Sequence, residues 1–371
     1  MAKKILKTPT KPTRLTGKST RRRFLAGTAA AGAGLAVSGP LILIPGKAKA
    51  SEKIVWVGWG GSTQAVQQEI FIKPFTKETG IEVISASGPN RAKIKAMVDT
   101  GNVEWDLVNM MGATATGLAK EGLLETIDSD LLAKWRGQSL QPDWIKDWAV
   151  GWYYWSGGIG YDPKRHPMGK HPRSWPDFWN ADKFPGRRGL RPRVNENLEL
   201  ALMADGVKPK DLYPLDVERA FKSLDRIKPH VAKWIKATSQ TITLIQNNEV
   251  DFDLTYSARV ESAKASGISI ELVYDSLLCE SGLMGIPKGS KNKSAAMKLI
   301  DFFMREKPQK AWCENRIGYG PQNTKALAAL SPALKAKLPS ADDPSTAWVN
   351  IDWWGDHYGA LSERFKEWLI T

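Results

Sequence analysis

Apolar and polar positions fall in blocks along the chain. Ile54-Val55-Trp56-Val57 is a short apolar run of the kind a buried parallel strand needs. Gly58-Trp59-Gly60-Gly61-Ser62-Thr63-Gln64 follows, and its glycines allow a turn without side-chain clash. Ser62 or Thr63 is placed to cap a helix carrying Val66, Ile70 and Phe71, which ends at Thr79-Gly80. A second strand starts at Ile81-Glu82-Val83-Ile84, which completes a strand–helix–strand unit. Such turns, at the carboxyl ends of strands, hold small ligands in open α/β sheets. Trp59 stands either at the mouth of that turn, beside free backbone N–H groups, or in the core.

The pattern then predicts a helix through Ile94, Met97 and Val98 and a strand at Trp105-Asp106-Leu107-Val108. Asn109-Met110-Met111-Gly112, at that strand's end, faces the same cleft as Gly60-Gly61, and a short helix leads on to Gly122. Residues 148–161 read as a long aromatic strand pair, with Trp155 and Ser156 near a crossover. A short helix near Trp175, a strand after Phe184, and helices over 196–204, 216–227 and 242–247 follow. Val217, Ala220, Phe221 and Leu224 give the middle one of these its apolar face. Phe252–Tyr256 is a strand, Ser257 opens a helix holding Arg259, Leu283–Pro287 is a returning strand, and Ala295–Met304 is a helix. From Pro332 the chain is mainly helical, with Asp352-Trp353-Trp354 in a loop. The alternation of strand and helix predicts an α/β fold.

Charge divides the chain. Residues 1–50 carry eleven of the 53 Lys/Arg and no acidic residue. Thr20-Arg21-Arg22-Arg23-Phe24-Leu25 precedes an Ala/Gly-rich run to Ile44, and Ala48-Lys49-Ala50 closes the segment. This resembles a twin-arginine export signal cleaved after Ala50, with the twin-arginine export machinery as the partner that reads it. A membrane span needs about twenty mostly apolar residues, which this glycine-interrupted run does not supply. Without it, 42 basic residues face 39 acidic ones, so the net charge drops from +14 to about +3. The high pI thus belongs to targeting, and nucleic acid is not an expected partner. The remaining length, about 320 residues, suits two domains.

Candidate chemistry is sparse. Cys279 and Cys313 allow no metal spacing and leave a disulfide open, while His166, His171, His230 and His357 are scattered and read as solvated. H-E-x-x-H, G-x-S-x-G and P-loop patterns are absent. Ser290-Lys-Asn-Lys293 fits S-x-x-K but lies in a turn without companion motifs. No catalytic residue, metal or cofactor is expected. The sixteen tryptophans are mostly packing, with a few available to line a cleft.

Phe75-Thr-Lys-Glu-Thr-Gly-Ile-Glu-Val83, Trp105-Asp-Leu-Val108, Ser174-Trp-Pro-Asp-Phe-Trp179, Phe184-Pro-Gly186, Ile286-Pro-Lys-Gly-Ser-Lys-Asn-Lys293 and Ile317-Gly-Tyr-Gly-Pro-Gln-Asn323 occur in that order. As a set the chain resembles the periplasmic solute-binding proteins of ABC importers, in the spermidine/putrescine-binding group. The resemblance implies two α/β lobes, joined by crossing hinge strands, that close over a solute in the cleft between them. It places lobe one at 51–156 plus 281–326 and lobe two at 157–280 plus 327–371. It implies a monomer that hands a small-molecule solute to a membrane permease. It also implies ligand aromatics at Trp59, Tyr256 and Tyr319 and a C-terminal contact at Asp352 or Trp353.

Departures from the group concern charge. One ligand acid of polyamine binders falls on Gly60, Gly61 or Ser62, a second on Arg193, a third on Glu196 and a fourth near Glu280. An arginine in an acid's place would repel an ammonium by roughly 4 kcal/mol at 4 Å and an effective ε of 20. Glu196 can neutralise Arg193, and Arg259 adds another cation beside Tyr256. Two ligand classes therefore stay open. One is a polyamine-like cation held by Trp59, Tyr256 and Tyr319, with Glu196, Glu280 or Asp352 as counter-charges. The other is a carboxylate or phosphonate held by Arg193, Arg259 and the Gly60–Thr63 amides. Glu280 reads slightly better as a solvated strand-end carboxylate. An enzyme on the same scaffold is a third class, with no nucleophile–base pair to support it.

Overall fold

The structure is a computed structural model that describes residues 52–339 and 343–371. The export signal and its cleavage site lie outside the described residues. Among the described residues no helix is long and apolar enough to cross a membrane.

Twelve strands form one mixed sheet: β1 (Lys53–Gly58), β2 (Glu82–Ser87), β3 (Leu107–Met111), β4 (Ile145–Lys146), β5 (Ala149–Tyr161), β6 (Arg188–Leu190), β7 (Val231–Trp234), β8 (Phe252–Tyr256), β9 (Glu271–Leu272), β10 (Leu278–Gly285), β11 (Tyr319–Pro321) and β12 (Ala347–Trp348). The order is β2-β1-β3-β10-β5-β8-β6-β7, with β4, β9 and β11 on β5 and β12 on β10. At one end β1 runs parallel to β2 and β3, and at the other β6 runs parallel to β7 and β8. The two ends are joined by β5 and β10, which pair antiparallel.

The expected strand pair over 148–161 is one strand. All of β5 except its last residue is buried, so apolar side chains occupy both faces and nothing in the pattern signals a turn. Its first half pairs with β10 and β11, and from Gly157 onward it pairs with β8. The returning strand starts at Leu278, five residues before the expected position, because Cys279-Glu280-Ser281 is buried as well. The helix after β1 spans Gly61–Thr79 with a wide turn at Gln68–Ile72. Lys73 N–H reaches back to Gln68 C=O, a five-residue step. That step makes room for Pro74, whose ring would otherwise press on the carbonyl four residues before it. Phe71, Trp152, Phe303 and Trp312 pack together in the core beneath this helix, with Phe71 and Phe303 stacked at 4.2 Å.

Asp352-Trp353-Trp354 is not a loop. It forms the first turn of a helix over Ile351–Ile370, and the Asn350 side chain caps that helix by accepting from Asp352 N–H and Trp353 N–H. Nor are all the histidines solvated. His171 is buried and stacked on Tyr161 at 3.9 Å, and His166 is half-buried beside Asp251. Cys279 and Cys313 are both buried and both free.

Candidate functional site

A cavity of about 360 Å³ lies where the carboxyl ends of β1, β3 and β8 meet. That size falls within the usual range for small-molecule sites. Gly60 and Gly61 take φ of +80° and +64°, values open to glycine at little strain, so the chain leaves β1 in a tight turn. Gln64 fixes this turn: its Oε1 accepts from Gly60 N–H at 2.6 Å and its Nε2 donates to Ala86 C=O at 2.8 Å. The expected hydroxyl cap is not used, since Gly60 is the capping residue and no side chain caps there. Thr63 instead accepts a hydrogen bond from the Arg316 guanidinium. Trp59 projects from the turn and is 41% exposed, against 0% for Trp56. That difference decides the Trp59 question in favour of the cavity wall.

Four more aromatic residues complete the walls: Tyr153, Trp155, Tyr256 and Tyr319. Tyr153 and Trp155 are two apart on β5 and so share a face. Trp155 meets Tyr256 edge-on at 5.4 Å, and Tyr153 meets Tyr319 at 5.3 Å. Met111 and Thr63 line the cavity where the sequence placed them, whereas Tyr153, Trp155 and Thr238 were not among the expected site residues. Alternation on β5 was the available signal for the two aromatics, and it was hidden because both faces of the strand are apolar.

Arg193 enters from the other side. Its Nη2 donates to Glu196 Oε1 at 2.6 Å and to Tyr256 Oη at 2.6 Å, and its Nε donates to Glu196 Oε2 at 3.1 Å. The backbone is shaped for this pairing. Glu196 has φ +73°, a conformation that costs a non-glycine residue on the order of 1–3 kcal/mol. Asn197 holds the turn by donating its side-chain amide to the Arg191 and Arg193 carbonyls. Burial works against the Arg193 charge, but Glu196, Tyr256 and Glu280 outweigh it and raise the guanidinium's pKa. Burial likewise raises the Tyr256 phenol, so it stays a hydroxyl. Arg259 lines the cavity from the first turn of the helix Ser257–Ala265, is exposed, and has no ionic partner among the described residues.

The remaining candidates lie elsewhere. Glu196 is 1% exposed and sits behind Arg193, outside the cavity lining. Glu280 is not a solvated strand-end group. It lies inside β10, is 2% exposed, and accepts from Gly112 N–H at 2.9 Å. Burial, helped by the nearby Glu196 and Glu199, pushes its carboxyl up to about 8. Gly61 does not line the cavity. Asp352 faces a different cavity of about 980 Å³, where it pairs with Lys146 at 2.6 Å. Trp353 packs on Tyr213 and stacks on His357. Both residues sit in the first turn of the helix that Asn350 caps, and neither lines the aromatic cavity. No group of three or more metal-ligating side chains occurs among the described residues.

Residues 71–340 match the family described as bacterial extracellular solute-binding protein. The chain belongs to that family. It is 34% identical over 328 residues to a gamma-aminobutyric acid-binding protein of Pseudomonas aeruginosa, covering 86% of this chain and 91% of the relative. It is 27% identical over 317 residues to the spermidine/putrescine-binding periplasmic protein of Escherichia coli, covering 80% and 85%. An ABC transporter substrate-binding protein from Bradyrhizobium japonicum superposes with a TM-score of 0.81 at 31% identity, over 86% of this chain and all of that one. The expected two-lobed solute-binding fold and the solute-binding role, in a family whose relatives here are periplasmic, are thereby established. These relatives are binding proteins, and solute-binding proteins of ABC importers work with a membrane permease.

Proposed function

We propose that this chain captures a small solute carrying a carboxylate and an aliphatic amine, of the ω-amino acid type, and presents it to a permease with no bond made or broken. The observation that carries this reading is the charge of the cavity wall: among the described residues Arg193 and Arg259 line it and no carboxylate does. Guanidinium groups bind carboxylates through paired hydrogen bonds. The faces of Trp59, Trp155 and Tyr319 suit an ammonium or its methylene chain. The γ-aminobutyrate named for the Pseudomonas relative has this chemistry.

A polyamine-like cation is the second reading, favoured by the same aromatic faces and by the Escherichia coli relative. It requires Arg193 to leave Glu196. Calorimetric titration of the protein with ω-amino acids, diamines and small dicarboxylates separates the two. Binding of the amino acids supports the first reading, and binding of diamines alone overturns it. We also propose lobe limits of 51–156 plus 281–326 and 157–280 plus 327–371, twin-arginine export with cleavage after Ala50, and a monomeric working form. The change of β5 from β10 and β11 to β8 partners at Gly157 supports the first of these limits.

A further inference from the structure

Asp253 is an acid in an apolar setting. It lies in the middle of β8, is 0% exposed, and neither of its oxygens has a partner among the described residues. Both of its cross-strand neighbours are glycines, Gly160 on β5 and Gly189 on β6. A Cβ at Gly160 would fall 3.1 Å from Asp253 Oδ1, and one at Gly189 would fall 2.8 Å from Asp253 Cβ. The glycines thus open a slot around the carboxyl, walled by Ile235 and Ile245.

The charged side chain beside this slot is Arg191. It comes two residues after Gly189, so alternation sets it on the face of Asp253. It is 5% exposed, and its Nε and Nη1 have no partner among the described residues. Burial raises the Asp253 carboxyl and lowers the Arg191 guanidinium, and each group opposes that shift in the other. The two are therefore neighbours, yet they share no direct hydrogen bond. Tyr256, Arg193 and Glu196 also act on Arg191, but Arg193 and Glu196 pair with one another. Asp253 is the acid left to face it.

Four buried polar atoms on two adjacent side chains thus lack protein partners, whereas buried polar groups in native proteins are almost always satisfied. Water closes polar contacts that are too long to be direct, and an internal water typically makes about three hydrogen bonds. The remaining Arg191 nitrogen, Nη2, donates to Lys236 C=O at 2.9 Å and to Thr238 Oγ1 at 3.3 Å. Thr238 lines the aromatic cavity.

We propose that Arg191 and Asp253 hold internal water between them, and that Arg191, seated in this way, is a positioning residue that sets Thr238 in the cavity wall. The ligand of the slot is water: the Arg191 N–H groups donate to it, and it donates to the Asp253 oxygens. The hydration site stands apart from any reading of the solute. Only its consequence for binding rests on the aromatic cavity being the solute site.

The test is a crystal structure of the wild-type protein at a resolution that shows ordered solvent, followed by Asp253→Asn and Asp253→Leu. Wild type should show water density within hydrogen-bond reach of both residues. Asparagine keeps the size and an acceptor, so the water and Thr238 should stay in place. Leucine fills the slot, so the water should leave, and the backbone amides of 236–239 should exchange hydrogen about tenfold faster. Calorimetry with γ-aminobutyrate should give wild-type affinity for Asp253→Asn and about two- to tenfold weaker binding for Asp253→Leu. If Asp253→Leu does not fold, Arg191→Met/Asp253→Leu strands no buried charge and takes its place with the same outcomes. A direct Arg191–Asp253 ion pair in the wild-type density, or chloride in the slot, overturns the proposal. So does a leucine variant whose 236–239 segment keeps its place and its exchange rates. So does an asparagine variant that behaves as the leucine variant does, since charge alone would then be responsible. If wild type ignores γ-aminobutyrate, the ω-amino acid reading falls, while density and exchange still decide this proposal.

Discussion

Glu280→Gln is the substitution whose effect can be worked out in sign and size. The carboxyl is buried in β10 and has no cation within ion-pair distance among the described residues. Burial, with Glu196 and Glu199 adding to it, raises its pKa from the ordinary 4.5 to about 8. Between those values the folded protein holds a proton that the unfolded chain has released. The unfolded state thus binds fewer protons, and stability falls as pH rises. The contribution is complete below about pH 4.5, is lost progressively as pH rises to about 8, and is gone above that. An interval of that width integrates to on the order of 5 kcal/mol. Glutamine copies the protonated acid in shape and can still accept from Gly112 N–H, but it cannot ionise. The two proteins should have nearly equal unfolding free energies at about pH 5, and the variant should be more stable at about pH 9. Urea unfolding at the two pH values measures the difference, and taking variant against wild type cancels all other titrating groups. A gap that stays constant with pH, or a variant less stable at the alkaline end, would refute the reasoning.

Arg259→Ala removes an exposed cation that no carboxylate holds, so it should leave the melting temperature unchanged while weakening a carboxylate ligand about ten- to hundredfold by calorimetry. Trp59→Ala should cost about three- to tenfold in affinity with little loss of stability, because the ring is 41% exposed and forms part of the cavity wall. Gly318→Ala should both destabilise the fold and weaken binding. A Cβ there falls 2.5 Å from Ala258 N, at φ +93°, and would push the Tyr319 segment off the Ser257 helix, as thermal melts and titration would record. Cys279 and Cys313 are buried, and burial raises both thiols. A thiol reagent should find neither in the native protein and both after denaturation.

Local signals carried the first strand–helix–strand unit. The apolar run 54–57, the two glycines and Trp59 sit where the pattern puts them, because a βα turn is encoded within a few residues. The Arg193–Glu196 pair was also legible, since the two are three apart. Charge at long range was not. Glu280 looked solvated because sequence gives no burial for a polar residue inside a strand, and only the neighbours on β3, β5 and the helix from Val194 close it off. Asp352 and Trp353 were placed by family likeness, and they sit instead in the first turn of the helix that Asn350 caps. Tyr153 and Trp155 were hidden by uniform burial, as an alternation rule needs one wet face to show which side is which.

The position of β10 bears on how the chain can become this structure. It lies between β3 and β5, yet it is made more than a hundred residues after either. Until residue 285 has emerged, β3 and β5 each present an open edge, and an unpaired edge invites pairing with another chain. The sheet also cannot close through local contacts alone, so its assembly belongs to the slow class of topologies. The growing chain is therefore most exposed to edge pairing between completion of β5 at Tyr161 and of β10 at Gly285, and insertion of one strand ends that exposure.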